Sequence, residues 1–137
     1  MLKIINKRGI KVENKFTMKR CRKCGATIEV LKDCNCDDCG IVCCGEQMET
    51  LTPNSVDASF EKHLPTYEVV GAYVVVTVPH VMEEEHYIEF VGLNSDKINA
   101  KKYFKAGEVA KAVFPYVKGA TIYSYCNKHG LWETQID

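Results

Sequence analysis

The sequence carries no charge excess: 18 lysines and arginines face 18 aspartates and glutamates across 137 residues. A general nucleic-acid binder needs a basic surplus to hold phosphates, so no nucleic-acid partner is expected. Long apolar runs are missing too. No stretch approaches the roughly 20 apolar residues of a membrane-spanning helix. The opening MLKIINKRGIKVENKF is broken by Lys, Arg, Asn or Glu every few positions and lacks the apolar core of a secretory signal. The expectation is a cytoplasmic protein with no membrane contact, in a compartment where thiols stay reduced. No repeat or low-complexity tract is evident. Histidine occurs four times and tryptophan once, so where those few residues fall carries weight.

Cysteine is what the chain has in surplus. Seven of its eight cysteines crowd between Cys21 and Cys44. In a reducing compartment they read as metal ligands or redox groups before they read as disulfides, the alternative being the disulfide framework of an exported protein. The 34 residues MKRCRKCGATIEVLKDCNCDDCGIVCCGEQMETL hold few large apolar side chains. Such a piece cannot build a core and needs metal or disulfides to fold. Cys21-x-x-Cys24-Gly25 is a metal knuckle: two thiolates grip one ion from a tight turn, and the glycine frees the backbone. Cys36-x-x-Cys39-Gly40 or the adjacent Cys43-Cys44-Gly45 could close the tetrahedron. The first pairing favours a zinc ribbon, although its 11-residue gap is short for that class. The second requires a backbone twist, because neighbouring side chains diverge. These residues alone leave the choice open. Cys34 and the unused pair would be free thiols or a further metal site.

The remainder reads as β. TPNS at residues 52–55 punctuates the chain as a linker. YEVVGAYVVVTV is too β-branched for a helix and closes at Pro79. HYIEFVGL alternates, with Ile88 and Phe90 assigned to one face and Tyr87 and Glu89 to the other. AKKYFKAG, KAVFPYV and ATIYSYC are further short strands, and EVAKAV could form one helical turn. The expected fold class is all-β: a small metal-stapled domain over 18–52, then an antiparallel sandwich over 53–137, behind an N-terminal extension at 1–17. The sandwich is slightly shorter than the about 100 residues usual for an immunoglobulin-like one.

The eighth cysteine lies far from the others, in YCNKHGLW, three residues before His129 and close to the lone tryptophan. His63, His80, His86 and His129 all fall at strand ends or in loops, where a rigid sandwich can present side chains for chemistry. With Cys126 they make five ligands. Structural zinc takes four. Blue copper takes two histidines and a cysteine with a weak axial ligand. Four nitrogens in a plane with one sulfur beneath suit iron and leave a sixth position open.

The strings CRKCG…VCCGEQME, EKHLP, VPHVMEEEHYIEF and YCNKHGLW resemble desulfoferrodoxin, the two-centre form of superoxide reductase, over residues 18–137. The resemblance implies a desulforedoxin- or rubredoxin-like domain with iron in Cys21, Cys24, Cys43 and Cys44. It implies a catalytic iron on an immunoglobulin-like sandwich, held by His63, His80, His86, His129 and Cys126. It further implies a homodimer fed with electrons by rubredoxin or a similar small carrier. Two features depart from the family pattern: a longer knuckle loop carrying Cys34, Cys36 and Cys39, and the N-terminal extension.

The implied reaction reduces superoxide to hydrogen peroxide with one electron and two protons, releasing no dioxygen. Lys62, beside His63, would draw the anion inward and help deliver a proton. By the resemblance, Glu61 occupies the sixth position in the oxidised resting state. In an extended loop the two side chains point opposite ways, so loop movement would exchange them. Glu83, Glu84 and Glu85 read as a solvated face. The alternatives are a non-catalytic two-iron electron carrier and a zinc-binding structural module.

Overall fold

The computed structural model describes residues 15–35 and 40–137. Its first part is built from very short strands: β1 (Met18–Arg20), β2 (Thr27–Glu29), β3 (Val42–Cys43), β4 (Glu46–Gln47) and β5 (Glu49–Thr50). They form a three-stranded sheet in the order β2-β1-β5 and a separate β3-β4 hairpin. One helical turn, α1 (Phe60–His63), leads into the sandwich. The sandwich strands are β6 (Thr66–Val70), β7 (Tyr73–Thr77), β8 (Ile88–Asn94), β9 (Asn99–Tyr103), β10 (Lys111–Pro115), β11 (Thr121–Cys126) and β12 (Gly130–Gln135). They make two antiparallel sheets, β10-β7-β6 and β12-β11-β8-β9. The all-β, immunoglobulin-like architecture expected from the sequence is what forms.

Three local expectations change. The Val/Tyr-rich segment is a hairpin rather than one strand, because Gly71 takes a left-handed φ of 62° and turns the chain between Val70 and Tyr73. EVAKAV forms no helical turn; Lys111–Pro115 is strand β10, pairing with β7 along its length. Ile88 and Phe90 do not share a face. Tyr125 pairs with Phe90 and Cys126 with Ile88, so Glu89 is an extra residue, a β-bulge that resets the alternation.

The bulge divides two cores. Ile88, Val91 and Leu93 of β8 join Val74, Val76, Phe114 and Ile122 between the sheets. Phe90 turns outward with Tyr123, Tyr125 and Leu131, and that outer face is covered by Phe16 and Met18. This is why every residue of β11 is buried. Phe16, which the sequence places in a polar extension, is 4% exposed and stacks on Tyr123 at 3.7 Å. The Tyr123 ring occupies the pleat opposite Gly92, where a Cβ would lie 2.2 Å from it. Polar contacts tie the small sheet down as well: Arg20 donates to the Tyr125 hydroxyl at 2.9 Å, and Glu29 accepts from Asn99 and Lys101.

Candidate metal centres

Each of the five distant ligands sits where a strand or turn ends. Cys126 closes β11 directly beside the bulge, its side chain 0% exposed. A three-residue loop, with Gly130 at φ 78° on its far side, then reverses the chain and returns His129 beside it. β7 ends at Thr77, and His80 follows just beyond Pro79, its N–H bonded to the Val78 carbonyl. His86 closes a turn by exchanging backbone hydrogen bonds with Glu83. His63 ends α1, and its carbonyl accepts from the buried Ser124 hydroxyl at 3.0 Å.

The four imidazoles stand as a square. Neighbouring ring centroids are 4.7 Å apart for His63–His80, 4.5 Å for His80–His86, 5.0 Å for His86–His129 and 4.9 Å for His63–His129. The His63–His86 diagonal is 6.4 Å, longer than the sides by close to the ratio a square requires. Adjacent rings cross at 75° to 88°, so the rings fan around a common centre. The Cys126 sulfur lies 3.5 Å from His80 Nε2 and 3.8 Å from His129 Nδ1, two opposite corners. Those corners are no more than 4.8 Å apart, so the sulfur stands off the line between them.

Two of the ring tautomers are fixed from outside. His63 Nδ1 donates to the Ser59 carbonyl at 2.6 Å, and His80 Nδ1 donates to the Val81 carbonyl at 2.5 Å. A carbonyl only accepts, so each Nε2 keeps its lone pair for the centre. His86 Nε2 is buried with no hydrogen-bond partner. A buried, unsatisfied nitrogen is costly, and a cation in the square would satisfy it. Burial holds His63, His80 and His86 below the ordinary imidazole range, keeping them neutral as ligands must be. Burial pushes the Cys126 thiol up, while the backbone N–H groups of Lys128 and His129 draw it back. The His129 N–H lies 3.3 Å from the sulfur. The donor set, four nitrogens and one sulfur, therefore fits a metal ion.

The second group lies in the small domain. The sulfurs of Cys21, Cys24, Cys43 and Cys44 lie within 4.8 Å of one another. Cys24–Cys43 is 3.6 Å and Cys43–Cys44 is 4.0 Å. A tetrahedron with metal–sulfur bonds of about 2.3 Å has edges of about 3.8 Å, so these thiols are already at ligand spacing. The adjacent pair is possible because Cys44 adopts the left-handed φ of 54°. That is the backbone twist the sequence required. Cys24 and Ala26 turn their N–H groups to the sulfurs of Cys21 and Cys24. The Cys24 N–H is the main reason that Cys21 falls to about 6. Cys43 is pushed up to about 12 by its thiol neighbours. Four thiolates this close ionise together only around a cation.

All nine expected ligands thus gather into their two groups. Cys36 and Cys39, the competing pair, lie outside the described residues. Cys34 is disulfide-bonded and not the free thiol or ligand the sequence allowed. Glu61 and Lys62 are exposed on α1. The extended loop expected for them is a helical turn, so their side chains diverge by about 100° rather than pointing oppositely. The Lys62 charge is felt at His63.

Sequence reading missed the supports. Trp132, fully buried, stacks on the His63 ring at 4.9 Å and donates its indole N–H to the His129 carbonyl at 3.0 Å. One side chain therefore braces two adjacent corners of the square. Its position in YCNKHGLW was the available signal. Lys128 also went unnoticed; its charge reaches both His86 and Cys126.

Comparison with known proteins bears on both centres. The desulfoferrodoxin family model matches residues 55–135. The desulfoferrodoxin of Syntrophotalea carbinolica is 34% identical over 125 residues, which are 88% of this chain and 97% of that protein. The crystal structure of the Treponema pallidum superoxide reductase is similar at a TM-score of 0.67 and 26% identity, covering 88% of this chain and 98% of that one. The one-iron superoxide reductase of Giardia intestinalis matches at a TM-score of 0.50 and 26% identity, covering 56% of this chain and 98% of its own.

Proposed function

The chain belongs to the desulfoferrodoxin family, and from that premise we infer that it is a superoxide reductase, converting superoxide to hydrogen peroxide without releasing dioxygen. The observation that carries the reading is the square of four imidazoles over one buried thiol, five donor atoms all within 4.8 Å of one another. Iron held by His63, His80, His86, His129 and Cys126 would supply the electron and bind the substrate, and iron held by Cys21, Cys24, Cys43 and Cys44 would supply a one-electron store and a structural clip.

The protein's own groups do the rest. His63, His80 and His86 present Nε2 and His129 presents Nδ1, with two of the tautomers set by backbone carbonyls. The Cys126 sulfur would bring negative charge to the centre, moderated by the His129 N–H. Lys62 Nζ draws the anionic substrate toward His63 and relays a proton through water. Glu61, exposed beside Lys62 on α1, would cap the centre in the oxidised resting state, and turning of α1 would exchange the two side chains there. Electrons come from rubredoxin or a similar small carrier, an assignment supported by the exposed sulfurs of Cys24 and Cys44. The active form is a cytoplasmic homodimer. Among the described residues no helix is long and apolar enough to cross a membrane. Division at 52/53 into two domains is supported by the Giardia relative, which is covered almost entirely by little more than half of this chain.

Product stoichiometry tests the reading. With excess reductant, each superoxide consumed should give one hydrogen peroxide and no dioxygen. Half an equivalent of dioxygen would make the protein a dismutase. No superoxide consumption, with no azide bound by the oxidised protein, would make it an electron carrier with closed centres.

A further inference from the structure

We propose that Asn127 is the positioning residue that sets His86 at its corner of the metal square. The inference rests on the five-ligand centre described above and not on which substrate that centre turns over.

Among the described residues, two of the four histidine rings lack outside support: the His129 ring hydrogen-bonds only its fellow ligands, His63 Nε2 at 3.0 Å and the Cys126 sulfur at 3.8 Å, and the His86 ring lacks even those. His63 and His80 are held by carbonyls at Nδ1, and the peptide carrying His129 is held through its carbonyl by Trp132. Among the described residues no protein group hydrogen-bonds the His86 ring, and its Nε2 is buried without a partner. Its backbone is committed locally: Glu83 and His86 exchange hydrogen bonds of 2.9 and 3.1 Å and close the turn that displays Glu84 and Glu85. Such a turn is tight in itself but says nothing of where its ring lies relative to the sulfur.

Asn127 supplies that relation. Its Nδ2 donates to the carbonyl of Glu85, just before His86, at 3.0 Å. Its Oδ1 accepts from the N–H of Tyr87, just after His86, at 3.0 Å. Its own backbone N–H donates to the Tyr87 carbonyl at 3.2 Å. Both peptides flanking one ligand are thus bracketed by the residue covalently next to another, Cys126. The bracket needs a donor and an acceptor on one short planar group. Asp offers no donor, and Gln reaches a methylene too far. The same two bonds fix the amide's orientation, since a flipped amide would set donor against donor and acceptor against acceptor.

The test uses the iron-loaded full chain with two variants. Asn127→Leu keeps the volume and loses both side-chain bonds, and Asn127→Asp keeps the acceptor for the Tyr87 N–H and loses the donor. Iron release into a chelator is followed at the thiolate-to-iron(III) band of the five-ligand centre, with the four-cysteine spectrum as internal reference. Loss of a group that orients a ligand costs about 10–100-fold in metal affinity. The expected result is release faster by that factor for Asn127→Leu, an intermediate rate for Asn127→Asp, and a displaced band in both. Release at the parent rate overturns the proposal. So does faster release with an unmoved band, which would mean general loosening of the sandwich rather than a misplaced ligand. If Asn127→Leu does not fold, Asn127→Asp decides by the same two readouts. Because neither readout is turnover, the outcome is separate from whether the enzyme reduces superoxide.

Discussion

The two metal groups of this chain are built in opposite ways. The four-cysteine group hangs on strands of two or three residues, with Gly25, Cys44 and Gly45 in left-handed conformations. Two of its sulfurs are exposed, and the ion pairs around it, Arg22–Glu49 and Lys23–Glu46, involve exposed basic side chains that contribute little. The five-ligand group hangs on strands of five to seven residues whose inward side chains are almost wholly buried. Its rings are braced by Ser59, Val81 and Trp132. The first group is a place where metal substitutes for a core. In the second, a core prepares a place for metal.

Metal removal should separate the two most sharply. Structural metal in a mini-domain contributes on the order of 10 kcal/mol to its folding. Hydrogen exchange on the metal-free protein should show residues 21–35 and 40–50 exchanging almost as an unfolded chain, while β7, β8 and β11 stay protected. Met18 and Phe16 belong to the sandwich's outer cluster and should stay protected with it. Retained protection around Cys21 and Cys43 would mean that the small domain holds itself up, and the contrast would fail.

A substitution in the sandwich should have the reverse selectivity. Trp132→Ala removes a fully buried ring, which costs about 3–5 kcal/mol, together with the stack on His63 and the bond to the His129 carbonyl. Thermal unfolding should drop accordingly and the five-ligand iron band should weaken, with the four-cysteine spectrum unchanged. Trp132→Phe keeps an aromatic face and loses the N–H bond, for a smaller loss of about 1 kcal/mol. If both variants disturb the cysteine centre equally, the two regions are not independent.

The same contrast explains what the sequence disclosed. The ligands were legible because histidine and cysteine are few in the sandwich and each falls at a break in a β pattern. The five-ligand count followed from that scarcity. The choice between cysteine pairs was not legible by spacing, since it turns on Cys44 adopting a left-handed φ, which local sequence does not announce in a residue other than glycine. The faces of Ile88 and Phe90 were misassigned because a single extra residue, Glu89, resets the period of two. Phe16 is hidden among polar neighbours in the sequence, and only the outer aromatic face of β8 and β11, which it covers, explains why it is buried. The supporting residues are hardest to read. Asn127 and Trp132 act through carbonyls and N–H groups, and backbone groups look alike at every position.

The smallest expected effect concerns a charge that belongs to neither scaffold. Lys62 stands exposed on α1, and its field reaches the buried His63 beside it. An exposed cation contributes nothing to holding the fold, so Lys62→Ala should leave unfolding and both iron spectra unchanged. Its proposed work is done before contact, on an anion still in solution. At low salt the second-order rate with superoxide should fall by roughly two- to tenfold, a part of what electrostatic steering supplies. At physiological ionic strength the Debye length shrinks to about 8 Å, so the gap between variant and parent should narrow, and the variant's rate should respond less to added salt. Lys128, whose charge reaches His86 and Cys126 from another side, keeps that response from vanishing. Parallel salt curves for variant and parent would mean that the anion is guided by the iron centre alone, and Lys62 would then belong to the solvated surface of α1.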